Sequence, residues 1–111
     1  MNGNIVVSDF RKRALVVVDR SGRHRFDYTG HSTDESFYPR GVCTDVLGRI
    51  LVFHVEGNSK RSTVYLISLL DQDGRFLTQL LRERQEIFRC LCVDEKNNIY
   101  VGFSGKIKVF S

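Results

Sequence analysis

The sequence predicts an all-β fold, because short apolar segments and turn residues recur along it at a nearly constant spacing. Residues 39–50 align with residues 88–99 at an offset of 49, and residues 3–7 align with residues 48–52 at an offset of 45. A period of roughly 40 to 50 residues with Gly, Asn and Asp turns is typical of β-propeller blades. The 111 residues therefore predict a partial β-propeller of about two and a half four-stranded antiparallel blades, with the ring not closed.

The repeat resolves into ten predicted strands, labelled a to d from the axis of each blade outward. Runs of β-branched and aromatic residues between turn signals set their bounds. Residues 1–111 form one propeller fragment: blade one (3–30) lacks strand a, blade two (39–81) is complete, and blade three (88–111) lacks strand d. The predicted strands are 4–9, 14–19 and 23–28, then 41–45, 49–54, 64–70 and 75–81, then 90–94, 98–102 and 106–110.

Residue patterns within the strands and turns fit this scheme. The run 14–19 is apolar on both faces, as expected for a strand covered by neighbouring blades on both sides. The outer strand 23–28 alternates and carries charges that discourage edge pairing. Residues 19–22 and 71–74 are matching Asp-x-x-Gly turns, in which Gly takes a positive φ and Asp bonds its own backbone.

Two segments depart from the repeat. Blade two has seven extra residues compared with blade one, which we assign to a long loop around residues 57–63. Residues 77–88 place apolar side chains at near-helical spacing, so a helical turn after strand d is an alternative to a simple loop.

Composition limits the setting of the protein. The chain opens with no basic segment followed by an apolar one, and no apolar run approaches the ~18 residues of a membrane span. We therefore expect a cytoplasmic protein without membrane contact. Two and a half blades leave faces uncovered, so we expect the missing blades in a parent chain, or else self-association through open blade edges.

Candidate catalytic and metal-ligating residues are few, and we expect no enzyme, no metal and no cofactor. Cys43, Cys90 and Cys92 lack metal-ligand spacing and are predicted to be core thiols. The three histidines are scattered, and Gly-Phe-Ser-Gly at 102–105 lacks the spacing of a nucleophile elbow. Five carboxylates recur beside turns and are predicted to bond turn amides: Asp9, Asp19, Asp45, Asp71 and Asp94.

Basic residues concentrate on one face of the predicted blades, the face formed by the b-to-c and d-to-a loops. Arg40 and Arg89 occupy equivalent positions, each beside an aromatic residue, Tyr38 and Phe88. Such pairs suit a protein hot spot or single-stranded RNA, while the alternative is a solvated rim of charges. The candidate binding residues are Arg11, Lys12, Arg13, Tyr38, Arg40, Lys60, Arg61, Arg82, Arg84, Phe88 and Arg89.

Three runs carry a family resemblance. Residues 39–52 read Pro-x-Gly-Val-Cys-x-Asp-x-x-Gly-x-Ile-Leu-Val, residues 69–77 read Leu-Leu-Asp-Gln-Asp-Gly-Arg-Phe-Leu, and residues 92–102 read Cys-Val-Asp-Glu-Lys-Asn-Asn-Ile-Tyr-Val-Gly. With this pattern the chain resembles the NHL-repeat propeller, in particular the C-terminal propeller of tripartite-motif NHL proteins. Only blade one has the Ser-Asp pair typical after strand b, at Ser8 and Asp9.

The resemblance implies a recognition module rather than an enzyme. It implies the substrate-binding end of an E3 ubiquitin ligase that holds a protein partner, with the ligase chemistry in RING and B-box parts that this chain lacks. Two alternatives remain open: binding of single-stranded RNA through the same face in post-transcriptional regulation, and an NHL-type enzyme such as a lyase.

Overall fold

The computed structural model describes residues 3–9, 11–30, 37–56, 64–83 and 88–110, with the backbone alone at Glu56 and Phe88. These residues form ten β-strands and no helix, which confirms the predicted all-β class. The strands are β1 (Ile5–Asp9), β2 (Ala14–Val18), β3 (His24–Tyr28), β4 (Tyr38–Thr44), β5 (Ile50–Glu56), β6 (Val64–Leu70), β7 (Phe76–Glu83), β8 (Phe88–Val93), β9 (Ile99–Phe103) and β10 (Lys106–Phe110).

Each predicted strand coincides with an observed one, and the ends differ by three residues at most. The largest difference is at β4, which begins at Tyr38 instead of Gly41. The helical alternative after strand d is wrong as far as Glu83, because β7 continues to that residue. The rest of that segment, 84–87, and the predicted long loop at 57–63 lie outside the described residues.

The strands form three antiparallel sheets that do not close on one another. Sheet 1 has the order β1-β2-β3, sheet 2 the order β4-β5-β6-β7, and sheet 3 the order β8-β9-β10. Strand β4 contacts both β1 and β8, so the first strands of sheets 2 and 3 lie next to each other. Sheet 2 is therefore the middle layer.

The two central strands of sheet 2, β5 and β6, are buried on both faces of the sheet. Successive residues of a strand point to opposite sides, so Ile50 and Val52 pack toward sheet 1 while Leu51 and Phe53 pack toward sheet 3. All four are at most 4% exposed. The cluster toward sheet 1 contains Leu15, Val17, Tyr28, Phe37, Ile50, Val52 and Leu70, and the cluster toward sheet 3 contains Leu51, Phe53, Ile67, Leu69, Val101 and Phe103.

Four turns of one design join the strands along one edge of the sheets. In each turn, the backbone N–H of the first residue, an aspartate, donates to the carbonyl oxygen four residues later. The carbonyl oxygen of the same aspartate accepts from the backbone N–H three residues later. The fourth position has a positive φ, 85° at Gly22, 80° at Gly48, 86° at Gly74 and 63° at Asn97. The turns begin at Asp19, Asp45, Asp71 and Asp94.

Two equivalent turn glycines separate backbone strain from packing. A Cβ at Gly22 would meet nothing within 4 Å, whereas a Cβ at Gly74 would lie 2.5 Å from Cε2 of Phe26 in sheet 1. We expect Gly22→Ala to lower the free energy of unfolding by about 1 kcal/mol, the cost of a left-handed alanine. Gly74→Ala should lower it further, because the Phe26 ring must also move. Urea denaturation of both variants measures the difference, and equal losses would contradict the close packing of sheets 1 and 2 at this turn.

Candidate functional site

The two edges of the sheets differ in chemistry. The aspartate edge carries the four Asp turns, and Val46 N–H donates to Asn97 Oδ1 at 3.1 Å to join the turns of sheets 2 and 3. Connections in an antiparallel meander alternate between edges, so the β1–β2 and β9–β10 turns and the starts of β4 and β8 lie on the opposite side. We call this side the basic edge, since it carries Arg13, Arg40 and Arg89.

A cleft of about 490 Å³ opens on the basic edge between sheets 2 and 3. Two exposed arginines, Arg40 on β4 and Arg89 on β8, line it together with backbone and apolar side chains. The structure thus brings together the two arginines that the repeat predicted to be equivalent. The remaining lining residues are Gly41, Val42, Phe53, Tyr65, Cys90 and Leu91.

Both arginines sit at matching irregularities of the strand pairing. In sheet 2 the register passes from Pro39, opposite His54, to Gly41, opposite Phe53, so Arg40 is the extra residue of a bulge. In sheet 3 it passes from Phe88 to Cys90 and leaves out Arg89 in the same way. A β-bulge of this kind redirects the side chain of the extra residue. The repeat has therefore placed one bulge arginine on each wall of the cleft.

Two aromatic rings form the apolar part of the cleft. Phe53 and Tyr65 stack with their ring centroids 5.9 Å apart and an angle of 4° between the ring planes. Phe53 is only 4% exposed, because its ring also belongs to the core between sheets 2 and 3. Neither residue was predicted from the sequence, although both lie near the connection between β5 and β6 and their odd positions place them on the face of sheet 2 that packs toward sheet 3, together with Leu51.

The other candidate residues of the β1–β2 turn are held by contacts within the chain. The guanidinium of Arg13 lies 4.7 Å from the centre of the Tyr38 ring, a cation–π contact. The ammonium of Lys12 lies 2.8 Å from Asp27 on β3. Its hydrogen bond to Asp27 raises the pKa of Lys12, and the bonds from Lys12 and then His24 lower the pKa of Asp27.

Two further candidates, Arg11 and Arg82, are not among the residues that line the cleft. Arg11 is exposed in the β1–β2 turn, and Arg82 is exposed within β7, so its assignment to a loop is wrong. The side chain of Phe88 and the residues Lys60, Arg61 and Arg84 lie outside the described part of the chain.

Two of the three cysteines differ from the prediction, whereas Cys43 packs against the core between sheets 2 and 3. Burial, with smaller contributions from Cys92 and Asp45, raises the pKa of the Cys43 thiol to about 11. Cys90 and Cys92 are exposed, so their assignment as core thiols is wrong; they lie on sheet 3, which no further sheet covers among the described residues. Those residues also contain no group of three His, Cys, Asp or Glu side chains able to hold a metal ion.

The recurring carboxylates bond turn amides, as the repeat predicted. Asp9 Oδ1 accepts from Lys12 N–H at 3.0 Å, and the other four accept from amides two and four residues on. Of the histidines, His54 is buried and its Nε2 lies 2.8 Å from Ser68 Oγ, which pairs two polar groups inside the fold. His24 lies beside Asp27, and His31 is outside the described residues.

Asp94 is the most strongly bonded of these carboxylates. Asn98 Nδ2 and Tyr100 OH donate to its Oδ2 at 2.9 and 3.0 Å, and the amides of Asn98 and Lys96 donate to its Oδ1, each at 2.9 Å. These bonds, that of the Asn98 side chain first, lower the pKa of Asp94 to about 2. The hydrogen bond from Tyr100 OH to Asp94 also raises the pKa of Tyr100.

A scan of the chain against protein-family models gives no match, and neither does a search of curated proteins. Within the described ranges, the chain contains no helix with the length and apolar composition that crossing a lipid bilayer requires.

The lowered pKa of Asp94 predicts acid sensitivity. Its pKa is about 2 when folded and ~3.9 when unfolded. Its contribution to stability is therefore full above pH ~4 and is lost as the pH falls toward ~2. We expect Asp94→Asn, which keeps a turn-forming side chain, to shrink the acid-induced fall in the free energy of unfolding over this range. Urea denaturation at a series of pH values measures this. The control Glu95→Gln removes the exposed neighbouring carboxylate, and an equal fall in both variants would contradict the assignment.

Proposed function

We propose that this chain belongs to an NHL-type β-propeller and acts as a non-catalytic recognition module that binds an acidic segment of a partner protein in the cleft on its basic edge. The observation that carries the proposal is the pair of bulge arginines, Arg40 and Arg89, on the two walls of one cleft. A binding surface for an acidic partner needs two positive charges at facing positions, whereas the packing of the scaffold does not require them.

The fold supports the propeller part of the proposal. Three antiparallel meanders pack face to face, and their repeat positions match: Val52 of sheet 2 and Val101 of sheet 3 are equivalent at the offset of 49, and each is buried against the preceding sheet. Strand β4 between β1 and β8 has the place that an innermost strand takes near a propeller axis. In this setting the basic edge is one of the two loop surfaces of the propeller, where recognition residues collect.

The chemistry of the cleft suits a peptide with carboxylates and apolar side chains. Guanidinium groups bind carboxylates in a planar, two-bonded arrangement, and Arg40 and Arg89 place two guanidinium side chains along the cleft. Between them, Leu91 and Phe53 provide an apolar floor for one side chain of the partner. Arginine and aromatic residues around a concave centre are also the usual composition of protein hot spots.

The described aromatic rings favour a protein over single-stranded RNA. Base recognition by stacking needs an open ring face. Phe53 is stacked on Tyr65, and the guanidinium of Arg13 covers one face of Tyr38. Each of these rings therefore already uses one face for a contact within the chain, which leaves less ring surface for stacking on bases. By its resemblance to tripartite-motif NHL proteins, the module would hold the substrate of a cytoplasmic ubiquitin ligase.

Charge reversal tests the cleft. We expect Arg40→Glu/Arg89→Glu to weaken binding of a fluorescein-labelled peptide of alternating Glu and Leu by about 100-fold, because each reversal turns an attraction into a repulsion. Fluorescence anisotropy measures the affinity. The matched control Arg23→Glu/Arg75→Glu makes the same change in net charge with exposed arginines on the aspartate edge, and should change the affinity less than about two-fold.

Single-stranded RNA is the competing ligand in the same assay. A labelled uridine oligonucleotide that binds more tightly than the peptide, with an affinity that falls steeply as salt rises, would overturn the protein assignment. An equal loss of peptide binding in the control variant would show that net charge alone, and not the cleft, attracts the peptide.

A further inference from the structure

The outer faces of sheets 1 and 3 are apolar and uncovered among the described residues. On sheet 1, Ile5 lies opposite Val18 and Val7 lies opposite Val16, so these four side chains share one face, which we call the N-terminal end face. Ile5 is 50% and Val7 52% exposed, although both are large apolar residues.

Sheet 3 presents the second such face. Tyr100 lies opposite both Cys92 and Val109, and Ile107 lies opposite Gly102 on the same side of the sheet. Ile107 is 70% and Val109 55% exposed. We call the surface formed by Cys92, Tyr100, Ile107 and Val109 the C-terminal end face.

The repeat indicates which kind of surface fits the N-terminal end face. At the offset of 45, Ile5 and Val7 correspond to Ile50 and Val52 of sheet 2. Those two residues are buried against the inner face of sheet 1. The N-terminal end face is therefore a copy of a surface that, elsewhere in this chain, packs on the face of a preceding sheet.

The C-terminal end face is the complementary half of the same interface. At the offset of 49, Cys92 and Tyr100 correspond to Cys43 and Leu51 of sheet 2. Those residues pack against the inner face of sheet 3. Sheet 3 thus presents the kind of surface that a following sheet covers in sheet 2, and sheet 1 presents the kind that a preceding sheet covers.

The outer strand edges are poor sites for association by comparison. Strand β3 carries Arg25 and Asp27, and β10 carries Lys106 and Lys108. Charged side chains on an edge strand oppose pairing with another strand. The contact available to a second copy is face to face.

We propose that a second copy of this chain packs its N-terminal end face on the C-terminal end face of the first, in a head-to-tail contact that repeats the packing of sheet 2 on sheet 3. Because the two contacting surfaces differ, the contact is heterologous and can add further copies until a ring closes. This contact gives the self-association expected from the uncovered blades a defined geometry, the packing of sheet faces. This inference does not depend on the ligand of the basic cleft.

Sedimentation of the full chain tests the contact. We expect the average mass of the wild-type protein to rise with concentration above that of one chain. Val7→Glu and Ile107→Glu each place a carboxylate in the apolar contact and should weaken self-association by about 100-fold or more. Each variant alone should then sediment as one chain. Mixed in equal amounts, they should form a dimer that grows no further, because each contributes one intact face.

The control Leu77→Glu changes an apolar side chain that is 48% exposed on β7, away from both end faces. It should associate like the wild type, and circular dichroism should show the same strand content in every variant. A wild-type protein that stays monomeric at every concentration would overturn the proposal and leave another protein as the cover of these faces. Dimers formed by Val7→Glu or Ile107→Glu alone, or a mixture that stays monomeric, would overturn it as well.

Discussion

The burial of sheet 2 on both faces is the constraint on which the rest of the structure depends. Four successive residues, 50–53, are almost fully inaccessible to water, and alternate ones enter different cores. A strand of this composition cannot leave one face in water, so sheets 1 and 3 must lie on either side of it. Truncating one of these side chains to alanine would lower the free energy of unfolding by about 2–5 kcal/mol. That is a large share of the stability of a domain this small.

In this layered packing, the aspartate edge and the basic edge have different roles. On the aspartate edge, each Asp carboxylate accepts amides that the tight turn would otherwise leave without a partner, and Asn97 links two of the turns across sheets. The hydrogen bonds of this edge hold neighbouring strands in register. On the basic edge, the interface between sheets 2 and 3 opens into the cleft.

The bulges explain how a repetitive scaffold produces a local site. In a regular strand, Arg40 would be paired with a residue of β5, and its side chain would point to the face opposite those of its two neighbours in the chain. Because the pairing skips Arg40 and Arg89, each guanidinium leaves its sheet next to the same opening. The contact of Arg13 with Tyr38 and the ion pair of Lys12 with Asp27 use neighbouring cations to fix the β1–β2 turn instead.

Local sequence was enough for the all-β class, the ten strands and the turns, because alternating apolar residues and Asp-x-x-Gly signals act over a few neighbouring positions. The repeat also indicated that Arg40 and Arg89 are equivalent, since equivalence needs only an offset. It did not indicate that Phe53 and Tyr65 stack beside them, or that Cys90 and Cys92 are exposed. Those facts depend on which sheet covers which face, and on a one-residue slip in pairing. Both are set by contacts between residues far apart in the chain, so the tertiary structure alone decides them.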